Sequence, residues 1–243
     1  MKAMIFAAGL GTRLRPLTDT MPKALVPVAG KPLLQHVVDK LLASGCTELV
    51  INVHHLAEQI YQYVEEKRNF GIPVHFSDET AQLLETGGAI KKAAPLLQGD
   101  APFLIHNVDI LSNINLADFY AKNKQYAATL LVSPRETQRY LLFDPETHRL
   151  KGWTNLKTGE VKSPYKDLDV AQCEKYAFSG IHLFSPELFP RFEGWPEKFS
   201  IIDFYLSICS EIEIHADVHT DLHLMDVGKV DTLAQAEEFL ANN

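Results

Sequence analysis

No apolar run in the 243-residue chain approaches the roughly 20 residues that a membrane-spanning helix needs. Cysteine is scarce: Cys46, Cys173 and Cys209 are odd in number and unclustered. That argues against a disulfide framework and a cysteine-built zinc site, and it fits a reducing, cytoplasmic setting. Basic charge is outweighed, with a net charge of −8 at pH 7. Non-specific nucleic-acid binding needs a basic face, so nucleic acid is a poor partner for this chain. Local Lys and Arg with a divalent metal can nevertheless hold a phosphate inside an acidic protein. Internal repeats, low-complexity tracts and linker-like segments are missing, which argues for one compact unit. The opening Met1–Pro16 is apolar over only about six residues before glycines and arginines interrupt it, which does not read as a secretory signal.

What the chain has is core-forming material, 46% of it hydrophobic, interleaved with charge. Apolar runs at Lys2–Ala7, Glu48–Val53, Pro73–Ser77, Pro102–His106 and Ala127–Ser133 predict buried strands. Helical spacing lies between them, at Leu33–Leu42, Leu56–Glu66, Gly88–Leu97 and Leu116–Asn123. Beyond Ser133 the strands Tyr140–Phe143, Arg149–Thr154 and Tyr176–Phe184 follow without long helices between them. A helix at Ile201–Cys209 with Ser200 as N-cap, short strands at Ile212–His215 and His219–Met225, and a helix at Val230–Leu240 complete the pattern. The expectation is an α/β, doubly wound, mostly parallel (Rossmann-like) sheet with a small inserted β-rich lobe. Residues 1–133 are expected to serve mainly a nucleotide, 134–226 a sugar phosphate, and 227–243 to form a closing helix.

The first strand runs into Ala7-Ala8-Gly9-Leu10-Gly11-Thr12-Arg13. Glycines directly after a buried strand let backbone N–H groups approach a phosphate. Two features separate this loop from a dinucleotide-binding turn: position 14 is Leu rather than Gly or Ala, and Pro16 stops a helix from continuing. A P-loop would need Gly-Lys-Ser or Gly-Lys-Thr, and the chain has neither. Arg13, Arg15 and Lys23 place three cations in an open loop, which suits a triphosphate; a tight strand exit with solvated cations is the alternative. Asp109 and Asp226 each follow an apolar strand. Carboxylates at strand ends suit Mg²⁺, which takes few protein ligands, or they serve as turn formers and helix caps.

The run Met4 to Thr18, with Pro22-Lys23-Ala24-Leu25-Val26-Pro27-Val28 and Gly30-Lys31-Pro32-Leu33, resembles the signature of the sugar-phosphate nucleotidyltransferases. The resemblance continues at Leu84-Glu85-Thr86-Gly87-Gly88-Ala89, Asn107-Val108-Asp109, Phe178-Ser179-Gly180 and Met225-Asp226-Val227-Gly228. Within that family the chain is most similar to the short, single-domain N-acetylmuramate 1-phosphate uridylyltransferases. The resemblance implies transfer of a nucleotidyl group from a nucleoside triphosphate, with Mg²⁺, to a sugar 1-phosphate. It puts Ala7, Ala8, Gly9, Gly11, Thr12, Glu85 and Gly88 beside the nucleotide, with Arg13 and Lys23 on its phosphates as the catalytic cations. Asp109 and Asp226 become metal ligands, and Asn107, Asn155 and Gly180 sugar-phosphate contacts. Base recognition would draw on backbone near Ala8 and side chains between Ser77 and Gly88.

Two departures from the family pattern are visible. Val108 stands where a glycine is usual; if that glycine serves close backbone approach, geometry or substrate choice differs here. Gly152-Trp153-Thr154-Asn155 stands roughly where related enzymes carry Glu-Lys-Pro. UTP with N-acetylmuramate 1-phosphate is the favoured pair, and hexose 1-phosphate guanylyl or thymidylyl transfer the alternative. A noncatalytic nucleotide- or sugar-phosphate-binding module ranks below both, because Arg13, Lys23, Asp109 and Asp226 are all present. Oligomeric state is not legible in the sequence.

Overall fold

A computed structural model describes residues 1–242. Strand β1 (Lys2–Phe6) buries Ala3, Met4 and Ile5 consecutively, as a strand covered on both faces must. Its exit does not become an α-helix. Single 3₁₀ turns at Thr12–Leu14, Leu17–Asp19 and Lys23–Leu25 wind the loop back toward the sheet. Pro16 and Pro22 keep these turns short, because proline has no N–H to continue a helix. A small hairpin of β2 (Pro27–Val28) and β3 (Lys31–Pro32) leads into α1 (Leu33–Ala43), whose buried stripe is Leu33, Leu34, Val37, Val38 and Leu41. Then come β4 (Glu48–Val53), α2 (Ala57–Glu66), β5 (Val74–Asp78) and α3 (Glu85–Ala93). They are followed by β6 (Phe103–Asn107), β7 (Ile110–Ser112), α4 (Leu116–Asn123) and β8 (Ala128–Ser133). The strand-rich stretch comprises β9 (Arg139–Phe143), β10 (Leu150–Asn155), β11 (Glu160–Lys162) and β12 (Glu174–Phe184). Helix α5 (Ile201–Ile208), strands β13 (Ile214–Val218) and β14 (Leu224–Asp226) and helix α6 (Asp231–Asn242) follow.

Ten strands form one sheet in the order β11-β10-β9-β12-β6-β1-β4-β5, with β8 paired to β12 and to β13. Strands β6, β1, β4 and β5 are mutually parallel. Strand β12 is antiparallel to β6, β8 and β9, so it joins the nucleotide-type half to the strand-rich half within one sheet. Side chains alternate between two cores. Ile5, Ile51 and Leu104 face α1 and α2, whereas Met4, Val50 and Ile105 face α3 and α5. That is the α/β, doubly wound arrangement expected for a Rossmann-like sheet.

Helix α3 starts at Glu85, three residues before the expected Gly88. Two consecutive glycines disguise a helix, because glycine weakens one by about 1 kcal/mol per residue. Their reason is tertiary. A Cβ on Gly87 would lie 2.3 Å from the Phe199 ring, and one on Gly88 would lie 2.0 Å from the Glu197 carbonyl oxygen. The bare backbone lets the Gly87 and Gly88 N–H groups donate to the Phe199 carbonyl at 2.9 and 3.2 Å, satisfying first-turn donors that a helix cannot pair internally. Ser200 is the N-cap of α5, accepting from the Ile202 N–H. The strands expected at Ile212–His215 and His219–Met225 shift to Ile214–Val218 and Leu224–Asp226, where parallel pairing with β8 and antiparallel pairing with β7 set their bounds.

Two measurements test this packing. Gly88→Ala must move the 197–199 segment, and we expect a loss of about 1–3 kcal/mol in urea unfolding, the usual cost of overpacking. The second concerns two buried histidines. His106 Nδ1 donates to the Asn107 carbonyl at 2.8 Å while Nε2 has no partner, and burial lowers its pKa to about 4. His182 Nδ1 shares a hydrogen bond with the Tyr205 hydroxyl at 2.9 Å, and burial lowers the histidine pKa to about 3. Unfolded histidine titrates near 6.5, so the unfolded chain binds these protons first. Their contribution is complete above about pH 6.5 and declines as pH falls toward the folded values. Unfolding free energy at pH 5 should be lower than at pH 7 by about 2 kcal/mol per histidine, and a His106→Gln, His182→Gln double variant should flatten that dependence.

Candidate active site

The parallel half of the sheet ends in a cleft of about 260 Å³. One wall is the exit of β1: Ala7 and Ala8 are buried, while Gly9 is exposed with no atom near the position its Cβ would take. A ligand can therefore approach that backbone closely. Gly11 has φ +62°, and a Cβ there would lie 2.8 Å from Thr18 Cγ2 and 3.1 Å from Lys23 Cβ. The Thr18 hydroxyl donates to the Gly11 carbonyl at 2.8 Å. This glycine thus lets the loop fold over itself and sets where Lys23 stands. Lys23 is only 9% exposed, and its ammonium donates to an Asp109 carboxylate oxygen.

Asp109 sits in the turn between β6 and β7. Strand β14 pairs with β7 so that Asp226 opposes Ile110, and the Val227 N–H donates to the Asp109 carbonyl at 2.8 Å. Two carboxylates that are far apart in sequence thereby reach one rim. Gly228 explains how the fourth charge fits. A Cβ on it would lie 2.7 Å from both Asp226 Oδ1 and Arg13 Nη2, so only glycine leaves room for both side chains to pass this backbone. Lys23 and Asp109 thus pair inside the cleft, while Arg13 and Asp226 flank Gly228 on the adjoining β14 exit, outside the cleft lining and not ion-paired with each other. Val108 is buried and lies outside the left-handed region, so the backbone here does not require glycine.

Beneath the cleft runs a buried polar chain that the sequence reading did not single out. Asn52 Oδ1 accepts from the Ala7 N–H at 2.7 Å, and Asn52 Nδ2 donates to Glu79 Oε1 at 2.8 Å. Glu79 Oε2 accepts from the Leu84 N–H at 3.0 Å. Asn52 and Glu79 thus tie the exit of β1 to the entry of α3, the two walls of the cleft. Burial pushes the Glu79 pKa up, while the hydrogen bonds from Asn52 and Leu84 pull the other way. Both oxygens accept from N–H donors, an arrangement that favours the carboxylate. A polar Asn inside the apolar run Glu48–Val53 was the available signal, since a buried amide needs partners.

The far wall carries the remaining candidates. Glu85, at φ +61°, lines the cleft with Thr86 and reaches Lys198 at 3.7 Å. Strand β12 shifts register between Phe178 and His182, and Gly180 there has φ +76°. A Cβ on Gly180 would lie 2.6 Å from Asn107 Nδ2, so this irregularity admits the Asn107 amide at the end of β6. Asn107 itself lines the cleft. Thr12 is exposed on its 3₁₀ turn, and Gly88 lines a neighbouring cavity with Gln82 and Lys92. Asn155 is not brought to the cleft; it sits in the β10–β11 turn, where its Oδ1 accepts from the Lys157 N–H at 3.0 Å. Next to the Phe178 end of the irregularity opens a second cavity of about 360 Å³, with Arg135, Arg139 and Trp153 among its walls.

The chain matches the family model described as nucleotidyl transferase over residues 2–243. It is 36% identical over 239 residues to the N-acetylmuramate alpha-1-phosphate uridylyltransferase of Neisseria meningitidis serogroup B, covering 98% of this chain and 97% of that protein. It is 47% identical over 109 residues to the protein of the same name from Caulobacter vibrioides, covering 44% and 45%. Among solved structures, a putative glucose-1-phosphate thymidylyltransferase from Bacillus anthracis superposes with a TM-score of 0.81 at 17% identity, covering 100% of this chain and 96% of that one. At that identity the likeness speaks for the fold alone.

The buried chain under the cleft generates a stability test. Glu79→Gln keeps shape but sets a donor against a donor, so we expect it to cost about 1–3 kcal/mol in urea unfolding despite being isosteric. An unchanged unfolding midpoint would show that Glu79 does not hold the two walls together.

Proposed function

The chain belongs to the nucleotidyl transferase family, and from that premise we propose that this sugar-1-phosphate nucleotidyltransferase joins UTP to N-acetylmuramate 1-phosphate, releasing pyrophosphate. The observation that carries the reaction type is the buried Lys23–Asp109 pair in the cleft beside the β1 glycine loop, with Asp226 and Arg13 at the adjoining β14 exit. The choice of base and sugar rests on the 36% identity, spread over nearly the whole chain, to a uridylyltransferase of that name.

A sugar 1-phosphate is mostly dianionic at neutral pH, its second pKa being about 6. Its oxygen attacks the α-phosphorus without prior deprotonation; the new P–O bond forms as the bond to the pyrophosphate oxygen breaks. The protein's task is to let two anions meet in line, which positioning and electrostatics supply without a general base. Backbone at Ala7–Gly9 receives the base and ribose, and Gly11 and Thr12 shape the phosphate loop. Arg13 shields the triphosphate, and Lys23 serves the α-phosphate and the incoming phosphate. Asn107, admitted by Gly180, orients the sugar phosphate. Residues 1–133 serve mainly the nucleotide and 134–226 the sugar phosphate, with the terminal helix closing the unit. The composition supports a cytoplasmic setting.

The donor set fits Mg²⁺: two carboxylates, Asp109 in the turn before β7 and Asp226 at the end of β14 beside it, suit a hard cation that fills its remaining positions with water and phosphate oxygens. Asp109 and Asp226 would hold it, and when bound it neutralises charge on the triphosphate.

Pyrophosphate release, measured for UTP, dTTP, CTP and GTP against a panel of sugar 1-phosphates, tests the assignment. UTP with N-acetylmuramate 1-phosphate should be fastest, and tenfold better turnover with GTP or CTP would overturn it. Arg13→Ala and Lys23→Ala should each lower kcat by roughly 10²–10³ with circular dichroism unchanged. Asp109→Asn and Asp226→Asn should each raise the Mg²⁺ concentration required for half-maximal rate.

A further inference from the structure

The second cavity lies between the start of β9, strands β10 and β12, and the N-terminal end of α5. It is linked to the nucleotide cleft through two elements. The β12 irregularity presents Phe178 to this cavity and Gly180 to Asn107 of the cleft. Thr86 lines the cleft and accepts from the Ile201 N–H, whose neighbours Ser200 and Ile202 line the cavity. A sugar whose 1-phosphate sits at Asn107 and Asp109 has this cavity as its neighbour. Half-buried Trp153 and Phe178 offer apolar walls of the kind a sugar ring packs against.

Its charge is what a neutral sugar does not explain. Three cations converge in a chain of net charge −8. Lys162 is already committed, to Asp203 at 3.0 Å and over the Trp153 ring at 5.3 Å. Arg135 and Arg139 are not: among the described residues neither lies within 4.0 Å of a carboxylate. Arg135 is nevertheless held in place, donating from Nη2 to the Phe178 carbonyl at 2.9 Å. Burial lowers its pKa and the fields of Asp226 and Tyr140 oppose that, while much of the side chain stays open to solvent. A guanidinium anchored on a backbone carbonyl, facing a cavity and without a counter-ion, is a receptor for a planar anion, which it binds through paired N–H donors.

We infer that Arg135 and Arg139 bind a carboxylate carried by the sugar, and so select an acidic sugar 1-phosphate over its neutral counterpart. The inference rests on the proposed reading, because it takes the sugar to extend from the cleft into this cavity. It adds what that reading lacks: the partner for the lactyl carboxylate of N-acetylmuramate.

The experiment compares N-acetylmuramate 1-phosphate with N-acetylglucosamine 1-phosphate, which differs only by the lactyl ether. For the wild-type protein with UTP, kcat/KM should favour the acidic sugar. Arg135→Ala and Arg139→Ala should each lower kcat/KM for the acidic sugar by about 10- to 100-fold, chiefly through KM, and leave the neutral sugar within about twofold. Arg135→Lys keeps the charge without the fork and should fall between. An equal loss on both sugars would assign these arginines to the shared phosphate, and no loss on either would make them spectators; both results overturn the inference. Calorimetric titration with free N-acetylmuramate and N-acetylglucosamine separates this from failure of the uridylyl assignment, because it needs no turnover. Binding of the acid that disappears in both alanine variants supports the receptor whatever nucleotide is used. Equal binding of the two sugars by the wild-type protein refutes it.

Discussion

A lysine that is only 9% exposed must be met by a negative charge, and here the partner is Asp109. Taking two charges out of water is costly, and such a pair often stabilises less than a well-packed apolar one would. Much of the architecture makes that pair feasible. Gly11 folds the loop so that Lys23 stands over the end of β1, and the parallel register of β1 with β6 brings Asp109 to the same level. Strand β14 then adds Asp226 through its ladder with β7, and Gly228 leaves space for Arg13. A fold selected for stability alone would have little reason to gather two cations and two carboxylates at one rim. A site that must receive polyphosphate has every reason to.

The second constraint is β12. Among the described residues it is the only strand that pairs with the parallel core, the β9–β11 extension and β8 together. Its one irregularity falls where the two halves meet, at the residues between Phe178 and His182. Gly180 uses that break to admit Asn107, and Phe178 uses it to face the neighbouring cavity. The two cavities are therefore not independent hollows. Phe178 lines one cavity, and two residues on, Gly180 gives room to Asn107, which lines the other, so the same break in β12 shapes both. The opposite wall is kept close by Gly87 and Gly88, which let the Phe199 carbonyl cap α3 directly.

Much of this was legible in the residues. Buried strands were readable because a strand covered on both faces has no polar positions to spare, as Ala3-Met4-Ile5 and Leu49-Val50-Ile51 show. The departure from a dinucleotide loop was readable from Leu14 and Pro16, since proline forbids the helix such a loop requires. The beginning of α3 was hidden, because Gly87 and Gly88 serve a contact with residues more than a hundred positions away. Asn155 looked like a sugar contact by position, but its side chain closes its own turn, a local bond that no motif comparison reveals.

The sequence by itself determined the alternating core, the glycine loop with its cations and the two aspartates, because each depends on periodicity or on residues close together in the chain. Tertiary structure alone decided which charges meet, that Asn52 and Glu79 join the walls of the cleft, and that Arg135 and Arg139 share a cavity beside it. Those outcomes depend on strand register and on where a register breaks, and register is set by pairing between distant segments rather than by the composition of either one.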